Sequence, residues 1–358
     1  MIVAKFGGSS VRDAQSMRNC AQIIERNPDM VLVILSATYN TTNELDFLFS
    51  SFLDKGHSPE LQNLTNDLIL RHRNLAQELL GNTCAPLEGL FSEFVSFIEQ
   101  WGEKTKQKKE KNRDFTLSFG ERFSTTLFFS YLSTLKSLKN RNIQFIKSYD
   151  YLKTDSNFGA AKFKTNSLNF FAKEVFNKNN LYVAQGYIGS NDLGHITTLG
   201  REGSDYSAAL FAEAISADEV IIWTDVAGVF SCDPRISSKA QVIDYLSYTQ
   251  ASAMAKFGAK VLYPETMAPL INKKIKLWVK CTKDPQILGT LISDQSCSEV
   301  GGYAVCIEKR ADGALLTHLG EGIKRLGFPI IDENEQDHFI RYYIPLKDIE
   351  SVVDQILS

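Results

Sequence analysis

At 358 residues the chain is too long for one small core and suits one large domain plus a smaller one. Apolar content of 44% and charged content of 23% are ordinary for a folded protein, and a net charge of −3 excludes a general pull towards nucleic acid or anionic membrane. The start, MIVAKFGGSS, has too short an apolar run for a signal peptide, and no stretch approaches the roughly 18 apolar residues of a membrane helix. Six scattered cysteines, without metal-ligand spacing, are expected as reduced thiols in a cytoplasmic protein.

Along the chain, residues 2–6 (IVAKF) and 31–35 (VLVIL) read as buried strands flanking a helical stretch, Val11–Glu25. That β-α-β opening predicts a parallel sheet. Residues 44–111 read as predominantly helical and end in a lysine-rich run, GEKTKQKKEKNRD. Interleaved Glu103, Glu110 and Asp114 favour a solvated helix end over a nucleic-acid patch. Strands and helices then alternate through NIQFIKS, LYVAQGYIG, HITTLG, DEVIIWT and IKLWVKC. From Tyr303 the predicted order is strand (YAVCIEK), helix (ALLTHLGEGIKRLG), strand (FPIID), strand (HFIRYYI) and helix (KDIESVVDQIL). The alternation in HFIRYYI suggests an exposed strand edge that could pair with a second copy.

Four turns carry the chemistry. In KFGGSS, residues 5–10, two glycines after a strand let backbone approach a ligand, and Ser9 and Ser10 can cap the following helix. Lys5 stands one residue before that strand ends and can reach over the glycines to a phosphate. TLGREGSDYSAA, residues 198–209, is a strand-to-helix turn whose amides favour anions, yet it contains Glu202 and Asp205 beside Arg201. TDVAGVFSCDPR, residues 224–235, puts Asp225 at the carboxyl end of a strand, where open α/β sheets bind ligands. FGAKVLYP, residues 257–264, adds Lys260 at a predicted helix.

Taken in order with SFGERFST (118–125), these motifs resemble the aspartate kinases of the amino acid kinase superfamily over residues 1 to about 295. The resemblance implies an α/β fold, the amino acid kinase fold, with a mostly parallel sheet sandwiched by helices over residues 1–295. Residues 296–358 would form a short ACT-like α+β module, and they leave room for one such module where regulated relatives carry two. It also implies roles for individual residues. Lys5, Gly7, Gly8 and Ser9 face the transferring phosphoryl group, and Thr224, Asp225, Phe230, Arg235 and Lys260 the nucleotide. Ser36, Ala37 and Thr42, from SATYNTTN, join Glu121, Arg201 and Ser204 around L-aspartate, and Asp205 organises Lys5 and Lys260.

The implied reaction is ATP-dependent phosphorylation of the aspartate side-chain carboxylate to 4-phospho-L-aspartate, with Mg2+ carried on the ATP phosphates and no dedicated protein metal site. It would open lysine, threonine and methionine synthesis. Nucleic-acid and membrane partners are not expected, and a homodimer is considered. The substrate carboxylate is ionised near neutral pH, so no general base is needed; positive groups aimed at the phosphoryl oxygens carry the rate. Arg201 would grip the substrate's α-carboxylate and Glu121 its ammonium. Kinase action on another amino-acid carboxylate, or a silent ligand-binding relative, are the alternatives. Three positions depart from the family pattern: Glu202 stands at a usual glycine, Phe230 at a usual tyrosine, and TYNTT at a usual small-residue run.

Overall fold

The computed structural model describes residues 1–258, 264–294, 304–320, 326–334 and 339–357. Two compact units emerge, Met1–Asp225 and Val226–Ser358. The boundary expected between residues 295 and 296 lies outside the described residues, as does Lys260.

In the first unit the opening β-α-β is present: β1 (Ile2–Phe6), α1 (Ala14–Glu25) and β2 (Met30–Leu35). Asp13 caps α1 by accepting from the Ser16 amide at 2.7 Å. Ser9 and Ser10 therefore do not cap it; the Ser10 hydroxyl instead donates to the Trp223 carbonyl at 3.2 Å. Helices α2 (Thr41–Lys55), α3 (Pro59–Leu80), α4 (Ala85–Glu99) and α5 (Glu103–Gln107) fill the stretch expected to be helical, and α6 (Lys109–Thr134) runs well beyond it. Then come β3 (Asn142–Ile146), the single-turn α7 (Ser148–Tyr151), β4 (Asn180–Gln185), a small antiparallel pair β5 (Ile188–Ser190) and β6 (Ile196–Thr198), α8 (Gly203–Ile215) and β7 (Glu219–Thr224). Strands β3, β4, β2, β1 and β7 lie side by side in that order and all parallel. Every residue of β2 is buried, as a strand covered on both faces requires.

The motif SFGERFST lies in the middle of α6 and not at a turn: Thr116 to Phe128 are buried without interruption. A helix buried on all sides lies inside the fold, whatever the mix of polar and apolar residues along it. Its aromatic residues pack against α4, with Phe91 against Phe123 and Phe94 against Phe119 at centroid distances of 5.1 and 4.8 Å.

The second unit contains β8 (Tyr245–Ser247), α9 (Tyr248–Lys256), α10 (Pro264–Lys273), β9 (Lys276–Cys281) and β10 (Thr290–Ser293). Strand β10 pairs antiparallel with β9 and parallel with β8. Strands β11 (Ala304–Lys309), β12 (Ala314–Leu319), β13 (Ile330–Asn334) and β14 (Phe339–Ile344) make an antiparallel sheet of order β11-β12-β14-β13, followed by α11 (Ile349–Ile356). Leu316, Tyr342, Ile344, Val352 and Val353 are core residues of this part.

Two expectations fail in this sheet. ALLTHL is strand β12 and not the start of a helix; all six residues are buried, Thr317 and His318 included, so the segment lacks the alternation of a half-exposed strand. HFIRYYI is not an exposed edge, because β14 is hydrogen-bonded to β12 on one side and β13 on the other. The sheet's outer strands are β11 and β13.

Candidate active site

Three backbone turns of the first unit and the middle of α6 surround one cavity of about 490 Å³. Lys5, Gly8, Ser36, Ala37, Thr42, Glu121, Arg201 and Ser204 all line it, so these eight residues from separated motifs are brought together. The close approaches explain the glycine at position 8. A Cβ there would stand 2.9 Å from the Ala37 carbonyl oxygen, which is too close for any side chain. Gly7 is fixed beside β7 by its amide, which donates to the Trp223 carbonyl at 3.1 Å.

Lys5 is buried on β1, and its ammonium meets the Asp205 carboxylate at 2.5 Å, with both side chains under 10% exposed. A buried charge is tolerable only when paired, and each partner supplies that for the other. Asp205 sits in the first turn of α8, so the pair also ties that helix to the strand carrying the lysine.

Glu121 is the opposite case. Its side chain is 3% exposed; Oε1 accepts from the Ala37 amide at 3.1 Å, while Oε2 is buried without a hydrogen-bond partner. Burial pushes its pKa up to about 8, against the smaller downward pull of the Ala37 amide and the Lys5 charge. The next helical turn holds the loop in place: the Ser124 hydroxyl donates to the Ser36 carbonyl at 2.7 Å. Below that loop, Thr38 bonds to His72 Nε2 at 3.0 Å, and His72 Nδ1 bonds to the Leu68 carbonyl at 2.8 Å. Burial keeps His72 neutral, with its pKa pushed down to about 4.

At the α8 turn, Gly200 and Glu202 both adopt left-handed conformations, with φ of 82° and 52°. The second explains why glycine is usual there: a side chain at positive φ is strained. Two amides of this turn are used internally, Gly203 to the Gly200 carbonyl at 3.1 Å and Asp205 to the Glu202 carbonyl at 3.0 Å. Partial withdrawal from water and the nearby Asp205 raise the Glu202 pKa, while Lys5 and Arg201 act against this. In the altered TYNTT loop, Asn40 also has positive φ, 65°, a conformation asparagine tolerates better than most residues.

Sequence reasoning missed part of the wall. Arg113, Tyr187, Gly159, Tyr39 and Asn43 also line the cavity. Arg113 forks onto Asp46 through Nε at 2.6 Å and Nη2 at 2.9 Å. Asp114, expected on a solvated helix end, is fully buried. It accepts from the Gly159 and Thr198 amides at 2.9 and 2.7 Å and from the Thr198 hydroxyl at 3.0 Å, linking α6 to the loop and strand that precede Arg201. The only available signal was spacing: Asp114 precedes Glu121 by seven residues, which puts both on one helix face.

On the expected nucleotide side, Thr224 ends β7 and Asp225 follows it, with the Thr224 hydroxyl 3.4 Å from Asp225 Oδ1. Strand β7 pairs with β1, bringing Trp223 opposite Phe6 and so Thr224 beside the glycine turn. Ser9 follows that turn but does not line the cavity. Phe230 and Arg235 belong to the second unit, where Phe230 bridges to Val242 and the Arg235 guanidinium forks onto Asp233 at 2.9 and 2.5 Å.

The amino acid kinase family model matches residues 1–281. Lysine-sensitive aspartokinase 3 of Escherichia coli is 35% identical over 307 residues, covering 83% of this chain and 65% of that protein. The aspartokinase of Chlamydia trachomatis is 30% identical over 363 residues, covering all of this chain and 74% of that one. The crystal structure of E. coli aspartokinase III in complex with aspartate and ADP matches with a TM-score of 0.84 at 26% identity, over 99% of this chain and 98% of that chain. Against three of its curated relatives, the chain spans between 37% and 65% of their length. With the family model covering most of the chain and a relative matched along all of it, the chain belongs to the amino acid kinase family, among the aspartokinases.

Proposed function

We propose that this chain is an aspartate kinase, which transfers the γ-phosphoryl group of ATP to the side-chain carboxylate of L-aspartate to give 4-phospho-L-aspartate. The observation that carries the reading is Glu121, a buried carboxylate whose second oxygen has no partner and which lines a cavity large enough to hold an amino acid. Such a group costs free energy unless a cation arrives, and a substrate ammonium is a cation of the right size. Arg201 and Ser204 line the same cavity and suit the α-carboxylate, with Ser36, Ala37 and Thr42 closing the remaining wall. Lys5, fixed by Asp205, then aims its charge at the transferring oxygens, while the Gly7–Gly8 backbone lets the phosphate come close.

Thr224, Asp225, Phe230, Arg235 and Lys260 would serve the nucleotide. Mg2+ would ride on the ATP phosphates and offset their charge, since Asp205, the buried carboxylate beside Lys5, is committed to that lysine at 2.5 Å. The related E. coli enzyme was crystallised with aspartate and ADP, which supports this substrate pair. Residues 1–295 would form the catalytic part and 296–358 the ACT-like module, with self-association through an outer strand of its sheet.

The test is acyl-phosphate trapping with hydroxylamine. ATP and L-aspartate should yield the hydroxamate, and glutamate or alanine should not. Hydroxamate from a different amino acid would assign another carboxylate substrate, and none from any would mark a silent relative.

A further inference from the structure

A larger concavity of the first unit lies apart from the one just described. It has a volume of about 670 Å³ and is lined by α4, α6, the segment after β3 and the β5–β6 hairpin. A second hollow of about 330 Å³ shares Glu93, Arg122, Lys147 and Tyr149 with it. We propose that this groove binds a small carboxylate with an aromatic body, at a site distinct from the amino-acid cavity.

Arg122 forms the centre of the argument. It follows Glu121 on α6, so the helix turns it away from the amino-acid cavity, which it does not line. Its residue is only 7% exposed, and its guanidinium stacks over the Phe119 ring at 4.5 Å. Nη2 is bonded to Glu93 at 2.5 Å and the Tyr149 hydroxyl lies close enough to interact with the guanidinium, yet Nη1 is buried without a hydrogen-bond partner. A planar donor with one arm unused is suited to a carboxylate, and a small adjustment of the ring-stacked group would present that arm.

The surroundings carry excess positive charge. Lys111, Arg122, Lys147 and Lys153 face the groove, against the carboxylates of Glu93 and Asp150, with the His195 imidazole beside them. Glu93 is taken by Arg122, and Lys153 is bonded to the Tyr149 carbonyl and the Ser190 hydroxyl at 3.1 and 2.9 Å. Lys111 and Lys147 remain opposite Asp150. The imbalance is felt by His195, whose pKa is lowered by loss of water contact and then by Lys111 and Lys108. The walls Phe97, Phe115 and Tyr149 give an aromatic body something to stack on. Charge and rings together favour an aromatic carboxylate over a bare inorganic anion.

The experiment follows the His195 imidazole by NMR in the full-length protein, assigned with His195→Gln among the five histidines. Phenylacetate is the probe, with benzylamine and inorganic phosphate as controls. Phenylacetate should bind saturably and raise the His195 pKa, because it neutralises the lysine field. Benzylamine should do neither, and phosphate should bind more weakly. Lys147→Ala and Arg122→Lys should each weaken phenylacetate about tenfold, since each removes one charged contact or its second arm. Because Lys147 is exposed, its variant keeps the test sound if the Arg122 change unfolds the helix. No saturable shift with phenylacetate, equal binding of benzylamine, or full affinity in Lys147→Ala would overturn the proposal.

Discussion

Two buried carboxylates stand at opposite fates in the first unit. Asp205 has a resident cation, Lys5, at 2.5 Å; Glu121 has one backbone amide and an oxygen left unpartnered. Both are less than 5% exposed, so burial alone does not separate them. What separates them is whether the chain supplies the counter-charge. Where it does, the pair belongs to the folded scaffold and, in the proposed function, serves the reacting phosphate; where it does not, an oxygen stays unpartnered that the proposed function pairs with the substrate ammonium.

Lys5→Ala should produce the largest effect and act on both halves of the comparison. Its kcat should fall by roughly two to three orders of magnitude, because the transferring oxygens lose their positive group. The buried ion pair adds a second effect: stranding Asp205 should cost about 3–5 kcal/mol of stability. Thermal unfolding of Lys5→Met/Asp205→Asn should recover most of that stability while activity stays lost. A single variant as stable as the parent would mean that the pair is not what holds α8 to β1.

Glu121→Gln should leave the fold intact and weaken L-aspartate by about 3 kcal/mol, roughly a hundredfold, with ATP binding unchanged. Calorimetry on each ligand separately checks it; equal losses for both would make Glu121 structural. Arg201→Ala should show the same selectivity with a smaller loss, about 2 kcal/mol, since Arg201 is exposed and its contact more easily replaced by water.

Much of this was legible beforehand because it rests on local pattern. The β-α-β opening, the helical stretch to residue 111 and the glycine turns each carry their signal within a few residues. Eight of the residues singled out by the motif set meet at one cavity. The failures share a different cause, which is burial decided by distant chain. Asp114 looked like a solvated charge among lysines, yet Gly159 and Thr198 converge on it from far along the sequence. ALLTHL looked helical because both faces of β12 are covered, which removes the alternation a strand would show. HFIRYYI does alternate, but whether a strand is inner or outer depends on which neighbours pair with it.

The pH dependence of stability tests the Glu121 half alone. Its folded pKa, about 8, lies above the ordinary value, so the stability contributed by the protonated form is fully present below about 4.5 and is lost as pH rises to 8. The difference in unfolding temperature between Glu121→Gln and the parent should therefore widen in favour of the variant over that window. A constant difference would show that Glu121 does not titrate there. The smallest effect is expected at the α8 turn. Glu202→Gly should stabilise the chain by about 1 kcal/mol, because a left-handed residue with φ of 52° loses its strain. A destabilised variant would mean that the Glu202 side chain makes a contact worth more than that strain.

The central claim is that Glu121 waits, mostly protonated, for the substrate ammonium. Titrating L-aspartate into the protein at pH 7, in two buffers of different ionisation enthalpy, measures it directly. With a pKa of about 8, binding should release close to one proton (~0.9), and affinity should rise about tenfold from pH 6 to pH 7. Binding that releases no proton, with affinity flat across that range, would contradict the account.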